Sequence, residues 1–249
     1  MLRAEELARI LDRLNSGSDP AGARREAREF LSAIDLAELA QAEQALLQTG
    51  LTRRDFPRLC AVHRALLEGE MERTMAQVES GHVLHTLVAE HDMILGFLND
   101  LAAVNEAIQE MEQYNAGREE FARLEHIAEH LVAAEGHHRR EEEVLFPELE
   151  SRGVTGPPQV MRQEHNALRP RKRELHELAQ NVARMDFADF KARVNDAVKF
   201  IVPTLEDHIF KENNILYPAA LRLIEDEDVW ARLKVECDQI GYCCFTPGV

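Results

Sequence analysis

The sequence predicts an all-α protein: an up-down four-helix bundle preceded by a smaller helical domain. Glycine and proline are sparse, at 12 and 9 of 249 residues. Alanine, leucine, glutamate and arginine recur at helical spacing, whereas alternating stretches of β-branched and aromatic residues are absent. Long segments with this spacing are joined by short breaks, which is the pattern of an up-down bundle.

Changes in helix length along the sequence divide the chain into three regions. The predicted bounds are 1–76 for an N-terminal helical domain, 77–228 for the bundle and 229–249 for a C-terminal tail. Helices in the first region are expected to begin near Asp19, Asp35 and Thr52. Because they are too short to be stable alone, we expect them to pack against each other or against a larger body. The tail ends in an apolar strip at 241–245, which we expect to dock on the bundle or on a partner.

The bundle region is predicted to contain four long helices. They span 83–114, 118–149, a segment that ends at about 185, and 186–225. A glycine- and proline-rich stretch at 153–158 separates the second helix from the third. Pro170, Pro203 and Pro218 are expected to bend or end helices locally.

The charge balance and the cysteines exclude several classes of protein. The chain has 29 Lys and Arg against 45 Asp and Glu, a net charge of −16, which repels phosphate backbones and anionic lipids. No apolar run is long enough to span a membrane, and Glu5 and Glu6 stand where a signal peptide has its apolar core. The four cysteines form no C-x-x-C pair, and we expect reduced thiols. These features predict a cytoplasmic protein with no nucleic-acid and no membrane partner.

A duplicated pattern in the second and fourth helices is the strongest functional signal. Residues 137–147 and 208–218 share a histidine, a glutamate four positions later, leucine at +8, an aromatic residue at +9 and proline at +10. His138 and Glu142 also have the His-x-x-x-Glu spacing, but the proline register selects His137. The first and third helices match in turn, because each carries a Glu-His pair. The bundle is therefore predicted to be a loose twofold repeat.

The residue types in this repeat predict a pair of metal ions. Histidine and glutamate at i and i+4 lie on one helix face, so both reach a single ion, and a carboxylate can also bridge two ions. Mixed imidazole and carboxylate ligands favour iron, with manganese or zinc as substitutes. The predicted ligands are His91, His137, Glu141, His165, His208 and Glu212.

These residues resemble the hemerythrin-like cation-binding family over roughly 80–225. The resemblance implies an oxo- or hydroxo-bridged non-haem di-iron centre in an antiparallel four-helix bundle, with Glu141 and Glu212 bridging. Residues 141–147 and 212–218 are also similar to di-iron proteins implicated in iron–sulfur cluster repair under oxidative and nitrosative stress. Oxygen-carrying hemerythrins have a further histidine where this chain has Arg169. The difference implies a more open iron and a reactive or sensing centre rather than oxygen storage.

The first 75 residues and the tail resemble an uncharacterised domain that often precedes hemerythrin-like cores. Many relatives have asparagine in place of His91, which leaves His82 or His85 as alternative first ligands. Helical geometry favours His91, because His165 is its partner in the repeat. The N-terminal domain is the expected contact for a second copy of the chain or for a signalling partner.

Three functions fit this pattern. The first is binding or sensing of O2, NO or peroxide; the second is a redox enzyme or an iron donor for cluster repair; the third is a metal-stabilised scaffold. Glu90 and Glu164 precede the single-histidine ligands and fit either a supporting role at the metal or solvated surface acids. Tyr217 and Phe146 occupy matching places, with core packing as the default interpretation and redox work by Tyr217 as the alternative.

Overall fold

The computed structural model describes residues 81–248 together with a few earlier ones. The earlier residues are Glu5, Glu6, Arg9, Ile10, Arg13, Gly22, Glu26, Phe30 and Val78. Gly22, Glu26 and Phe30 are helical, in agreement with a helix that follows Asp19. The short helices expected after residues 35 and 52 lie outside the described residues.

Every regular element of the described residues is helical, as the sequence predicts. The α-helices are α1 (Val83–Gln109), α2 (Glu119–Ala133), α3 (Glu135–Arg140), α4 (Phe146–Ser151), α5 (Gly156–Asn181), α6 (Phe187–Lys211), α7 (Tyr217–Leu223) and α8 (Glu227–Ile240). Two π-helical turns, Glu141–Leu145 and Glu212–Leu216, join α3 to α4 and α6 to α7, and a 3-10 turn, Val182–Arg184, follows α5. No helix among these residues is both long and apolar enough to cross a membrane.

Four helical rods form the bundle. Helix α1 packs on α2 and α6, and α5 packs on the same two helices, so each rod contacts two neighbours around the bundle. The second rod runs through α2, α3, a π turn and α4, and the fourth runs through α6, a π turn and α7. The four rods correspond to the four long helices predicted from the sequence.

The apolar core consists of two clusters with polar residues between them. The first cluster includes Ile94 and Leu168, and the second includes Val88 and Met161. In each rod the buried histidine lies in sequence between residues of the two clusters, as His165 does between Met161 and Leu168. The fold therefore holds a belt of buried polar side chains between two layers of hydrocarbon.

Each of the two π turns lies just before a proline, Pro147 or Pro218. Proline has no N–H, and its ring clashes with the carbonyl four residues back in an α-helix. Just before each proline, a backbone N–H instead bonds the carbonyl five residues back: Phe146 to Glu141, and Tyr217 to Glu212. Pro170 and Pro203, in contrast, lie within α5 and α6, which continue past them. Of the two expected effects, bending or ending a helix, these two prolines do not produce the second.

The C-terminal region contains a helix that the sequence did not reveal. Helix α8 buries Trp230, Leu233 and Cys237 against the second cluster, and the Trp230 indole donates to the carbonyl of Ile224 at 2.8 Å. Gly241 ends α8 at φ 89°, a left-handed conformation that favours glycine. The chain then forms a strap, residues 241–248, which lies on the bundle.

Candidate metal centre

The six predicted ligands come together in the polar belt. All six side chains are at most 1% exposed: His91, His137, Glu141, His165, His208 and Glu212. The alternative first ligands lie elsewhere, because His82 caps the N-terminus of α1 and packs against the Trp230 ring, while His85 is exposed. The structure thus brings together the set selected by the repeat.

The four imidazoles form two pairs that face each other through Nε2. His91 and His137 have their Nε2 atoms 3.0 Å apart, and we call this pair position A. His165 and His208 have theirs 2.8 Å apart, and we call this pair position B. Each position takes one histidine from a single-histidine rod and one from a His-x-x-x-Glu rod, as the twofold repeat requires.

Each carboxylate reaches both positions. Glu212 Oε2 lies 3.2 Å from His91 Nε2, and Glu212 Oε1 lies 2.8 Å from His208 Nε2. Glu141 Oε2 lies 3.6 Å from His137 Nε2 and 3.5 Å from His165 Nε2. Glu212 thus faces the two positions with different oxygens, and Glu141 faces both with Oε2, so either carboxylate could contribute to an ion at each position.

The donor set fits a cation. Glu141 Oε2 and both carboxylate oxygens of Glu212 are buried and have no hydrogen-bond partner among the described residues. Burying a carboxylate without a donor or a positive charge is costly. Groups of these residues offer nitrogen and oxygen atoms within 4.8 Å of one another, close enough to share ions. Nitrogen and carboxylate oxygen donors are typical of iron and related transition metals.

The outer nitrogen of each imidazole is held by an acceptor. His137 Nδ1 donates to Glu90 Oε2 at 2.7 Å, and His208 Nδ1 donates to Glu164 Oε2 at 2.8 Å. The glutamate beside each single histidine therefore supports the other histidine of the same position. Such bonds fix the tautomer that leaves Nε2 free for a metal. Glu90 and Glu164 thus have supporting roles and are not solvated surface acids.

The other two imidazoles are held by the residues that follow Glu141 and Glu212. His165 Nδ1 lies 2.7 Å from Glu142 Oε1, and His91 Nδ1 lies 2.7 Å from Asn213 Oδ1. These two acceptors occupy the same place in the repeat but differ in charge.

Each of the three supporting glutamates is paired with a cation. Arg140 bonds both oxygens of Glu90 at 2.6 Å, Arg169 bonds Glu142 at 2.8 Å, and Lys211 bonds Glu164. Burial alone would raise the pKa of Glu90, but the His137 hydrogen bond and the Arg140 charge lower it to about 2. The pKa of Glu142 is likewise lowered to about 2 by His165 and Arg169 against the effect of burial. These carboxylates stay ionised at neutral pH.

Arg169 does not point its charge at the imidazoles. Its guanidinium bonds Glu135 and Glu142, both at 2.8 Å, and Asn166 at 2.9 Å. The residue that replaces the additional histidine of oxygen-carrying hemerythrins therefore anchors the acceptor of His165. It leaves position B with two histidines.

His138 and Lys172 are buried beside position B. The His138 ring stacks on His165 with centroids 3.8 Å apart and planes 14° apart. His138, His165 and His208 also offer ligand atoms within 4.8 Å of one another, so His138 lies within reach of an ion at position B. His138 Nδ1 and Lys172 Nζ have no hydrogen-bond partner among the described residues. Burial lowers the pKa of Lys172 to about 8.

Tyr217 distinguishes the two carboxylates. Its hydroxyl donates to Glu141 Oε1 at 2.8 Å, whereas Phe146, at the matching place, has no hydroxyl to offer Glu212. The Tyr217 ring also stacks on His91, with the planes 3° apart. Tyr217 therefore combines core packing with a polar contact at the centre.

The strap reaches the centre through Glu90. Thr246 donates its hydroxyl to Glu90 Oε1, the carboxylate that holds His137. Arg140 lies over the Tyr242 ring at 4.8 Å, and its Nη2 lies 3.8 Å from Cys243 Sγ. A line of buried contacts thus connects position A to the C-terminal strap.

Comparison with known proteins agrees with this arrangement. The family model described as "Hemerythrin HHE cation binding domain" matches residues 82–220. The chain belongs to this family. Its hemerythrin domain covers all six clustered residues, and a second model, "Family of unknown function (DUF438)", matches residues 7–73. The hemerythrin-like fold and the uncharacterised N-terminal domain expected from the sequence are thereby confirmed.

Several relatives of this hemerythrin domain are named iron–sulfur cluster repair proteins. The "Iron-sulfur cluster repair protein YtfE" of Yersinia pseudotuberculosis serotype IB (strain PB1/+) is 33% identical over 140 residues, which cover 53% of this chain and 61% of that protein. YtfE of Yersinia pestis (strain Pestoides F) matches over the same shares at 33% identity. The chain thus spans less than two thirds of the length of these curated relatives.

Sequence reasoning missed several residues that support the hemerythrin centre. Glu142 and Asn213 follow the carboxylate ligands directly, and their shared place in the repeat was a usable signal. Arg140 and Lys211 also match in the repeat, each three residues after a histidine. Thr246 gave no comparable signal, because only the folded strap brings it to Glu90.

Proposed function

We propose that this chain is a di-iron protein that binds or senses O2, NO or peroxide at positions A and B. One observation carries the proposal: four imidazole Nε2 atoms converge in a fully buried belt with three carboxylate oxygens. These three oxygens have no hydrogen-bond partner among the described residues. Two iron ions held there would supply an open coordination position and a one-electron redox change at each ion. Manganese or zinc are the alternative occupants that metal analysis must separate from iron.

The chain's own residues prepare the site in three ways. The Nδ1 acceptors fix the orientation of each imidazole, and Glu141 and Glu212 offer shared negative charge. The two apolar clusters exclude bulk water on both sides of the belt. Arg169 turns to Glu135 and Glu142, which leaves position B without a third histidine from α5. These features favour a small ligand at position B.

Sensing rather than storage is favoured by the strap. The contacts from His137 through Glu90 to Thr246 join position A to a segment outside the four rods. A change in the His137–Glu90 bond is thereby passed to residues 241–248. We also propose that the N-terminal region, which matches DUF438, contacts a second copy of the chain or a signalling partner. The net charge of −16 argues against nucleic acid or an anionic membrane as that partner.

The test is the optical spectrum of anaerobically reduced, iron-loaded protein after addition of air and, separately, of NO. We expect a new band with each gas that disappears when the gas is removed. Lasting oxidation together with catalytic loss of peroxide would instead make the chain a redox enzyme. An unchanged spectrum in protein that holds iron would indicate that the metal centre has only a structural role.

Iron–sulfur cluster repair is the second candidate. It is favoured by the similarity to proteins named for that role, with a sequence identity of 33% over 140 residues. The test is transfer of iron from the loaded protein to an iron-free cluster scaffold protein. The visible spectrum of the scaffold protein measures the transfer. Iron release to the scaffold that exceeds release to buffer would support the repair role, and equal rates would contradict it.

A further inference from the structure

The imidazoles at positions A and B have different acceptors on their outer nitrogens. At position B both histidines donate to carboxylates, His165 to Glu142 and His208 to Glu164. At position A His137 donates to Glu90, but His91 donates to the neutral amide of Asn213. The four distances are 2.7 or 2.8 Å, so the bonds differ in charge and not in length.

Other features are shared by the two positions or offset this difference only in part. Glu141 and Glu212 each contact both positions, so their charge is shared. Each of the three supporting glutamates has a cation partner, so position A has one such pair, Glu90 with Arg140, and position B has two, Glu164 with Lys211 and Glu142 with Arg169. Arg169 offsets part of the charge of Glu142, but the hydrogen-bond acceptor on His165 is still a carboxylate oxygen and that on His91 an amide oxygen.

A carboxylate acceptor draws the imidazole proton toward itself and makes the opposite nitrogen a stronger donor to the metal. A stronger donor stabilises iron(III) relative to iron(II), which lowers the reduction potential of that ion. We propose that Glu142 and Asn213 make the two metal positions redox-inequivalent, so that the iron at position B is oxidised first. In this step iron(II) gives one electron to a one-electron mediator and becomes iron(III). The inference rests on the proposed di-iron centre.

The repeat supplies the matched variants. Glu142→Gln gives position B one carboxylate and one amide, like position A. Asn213→Asp gives position A two carboxylates, like position B. In the double variant the asymmetry is reversed. These residues position ligands and do not contact the metal, so the readout is a potential and not activity.

The experiment is a spectroelectrochemical titration of iron-loaded protein that yields two one-electron midpoints. We expect both single variants to narrow the separation of the midpoints. The mean of the two midpoint potentials is expected to shift upward in Glu142→Gln and downward in Asn213→Asp. In the double variant both the separation and the mean return toward the parent values, which a purely structural disturbance would not produce. Glu143→Gln and Asn214→Asp, one residue away, are the matched controls and are expected to leave both quantities unchanged.

Asn213→Asp buries a new carboxylate, so Glu142→Gln, which only removes charge, provides an independent test. A single two-electron wave in the parent would overturn the inference. So would an unchanged separation in Glu142→Gln protein that holds as much iron as the parent. A parent chain that binds no iron would instead overturn the proposed function, and this inference with it.

Discussion

Glu90 Oε2 lies 2.7 Å from Nδ1 of His137, a residue 47 positions further along the chain. In sequence Glu90 is next to His91, the other histidine of position A. One glutamate thus ties two rods together at the metal position, and Arg140 and Thr246 hold it in place. Mutation of Glu90 therefore tests the support of His137 without removing any predicted ligand.

Replacing Glu90 with glutamine is expected to weaken metal binding by about 10–100-fold, because the neutral amide supports His137 less strongly than the carboxylate does. The measurement is competition for the metal with a coloured chelator. Glu106→Gln, an exposed change on the same helix, is the control. Equal affinity in the Glu90 variant and the parent would show that the Glu90 carboxylate does not support the metal.

Replacing Tyr217 with phenylalanine is expected to lower the free energy of unfolding of the metal-free protein by about 1–3 kcal/mol, because Glu141 Oε1 loses its buried donor. Phenylalanine already occupies the matching place at Phe146, so the ring packing is retained. Denaturant unfolding measures the change. Tyr114→Phe, on a residue packed against the first cluster, is the control. A loss of stability that is no larger than the control's would contradict the account of this contact.

Replacing Lys172 with methionine is expected to stabilise the metal-free protein at neutral pH. Burial lowers the pKa of Lys172 from 10.5 to about 8, so its charged form is penalised in the folded state. The penalty, about 3 kcal/mol at most, is full below pH 8 and disappears as the pH rises to 10.5.

The measurement is the difference in unfolding free energy between Lys172→Met and the parent from pH 7 to pH 10. Lys199→Met, at an exposed lysine, corrects for the loss of one positive charge. The stabilisation is expected to shrink as the pH rises. A difference that stays constant or grows over this range would contradict the assignment of a buried, charged Lys172.

Replacing Thr246 with valine is expected to loosen the strap, because its contact with Glu90 is lost. Cys243 is the reporter: it is buried, and burial raises the pKa of its thiol to about 12. Because the neighbouring Cys244 is exposed, alkylation is assigned to Cys243 by tandem mass spectrometry, and we expect it to be faster in the variant. Thr155→Val, at an exposed threonine, is the control. Equal alkylation rates in the parent and the Thr246 variant would show that the Thr246–Glu90 contact does not hold the strap, which would contradict its role in sensing.

The rods and the six clustered residues were predictable from the sequence because a duplicated pattern encodes them directly. Helical spacing places His137 and Glu141 on one face, and the repeat selects among several similar pairs. Helix α8 was missed although Trp230, Leu233 and Cys237 have helical spacing, because the segment was interpreted as a tail.

The supporting contacts could not be derived in the same way. Each π turn adds a residue to one helical turn, so the faces beyond Glu141 and Glu212 do not follow the usual period. The hydrogen-bond partners of Glu142 and Asn213 depend on the change in helix face that the added residue causes. Arg169 was interpreted from what it replaces, whereas its role follows from two carboxylates that only the fold brings to it.

The most direct test of the central claim is the iron content of purified protein, compared among the parent, His208→Ala, Glu212→Ala and His85→Ala. We predict about two irons per chain in the parent and in His85→Ala, where an exposed histidine outside the cluster is removed. Marked loss is predicted in His208→Ala and Glu212→Ala. A parent without bound metal, or equal metal content in all four proteins, would contradict the account.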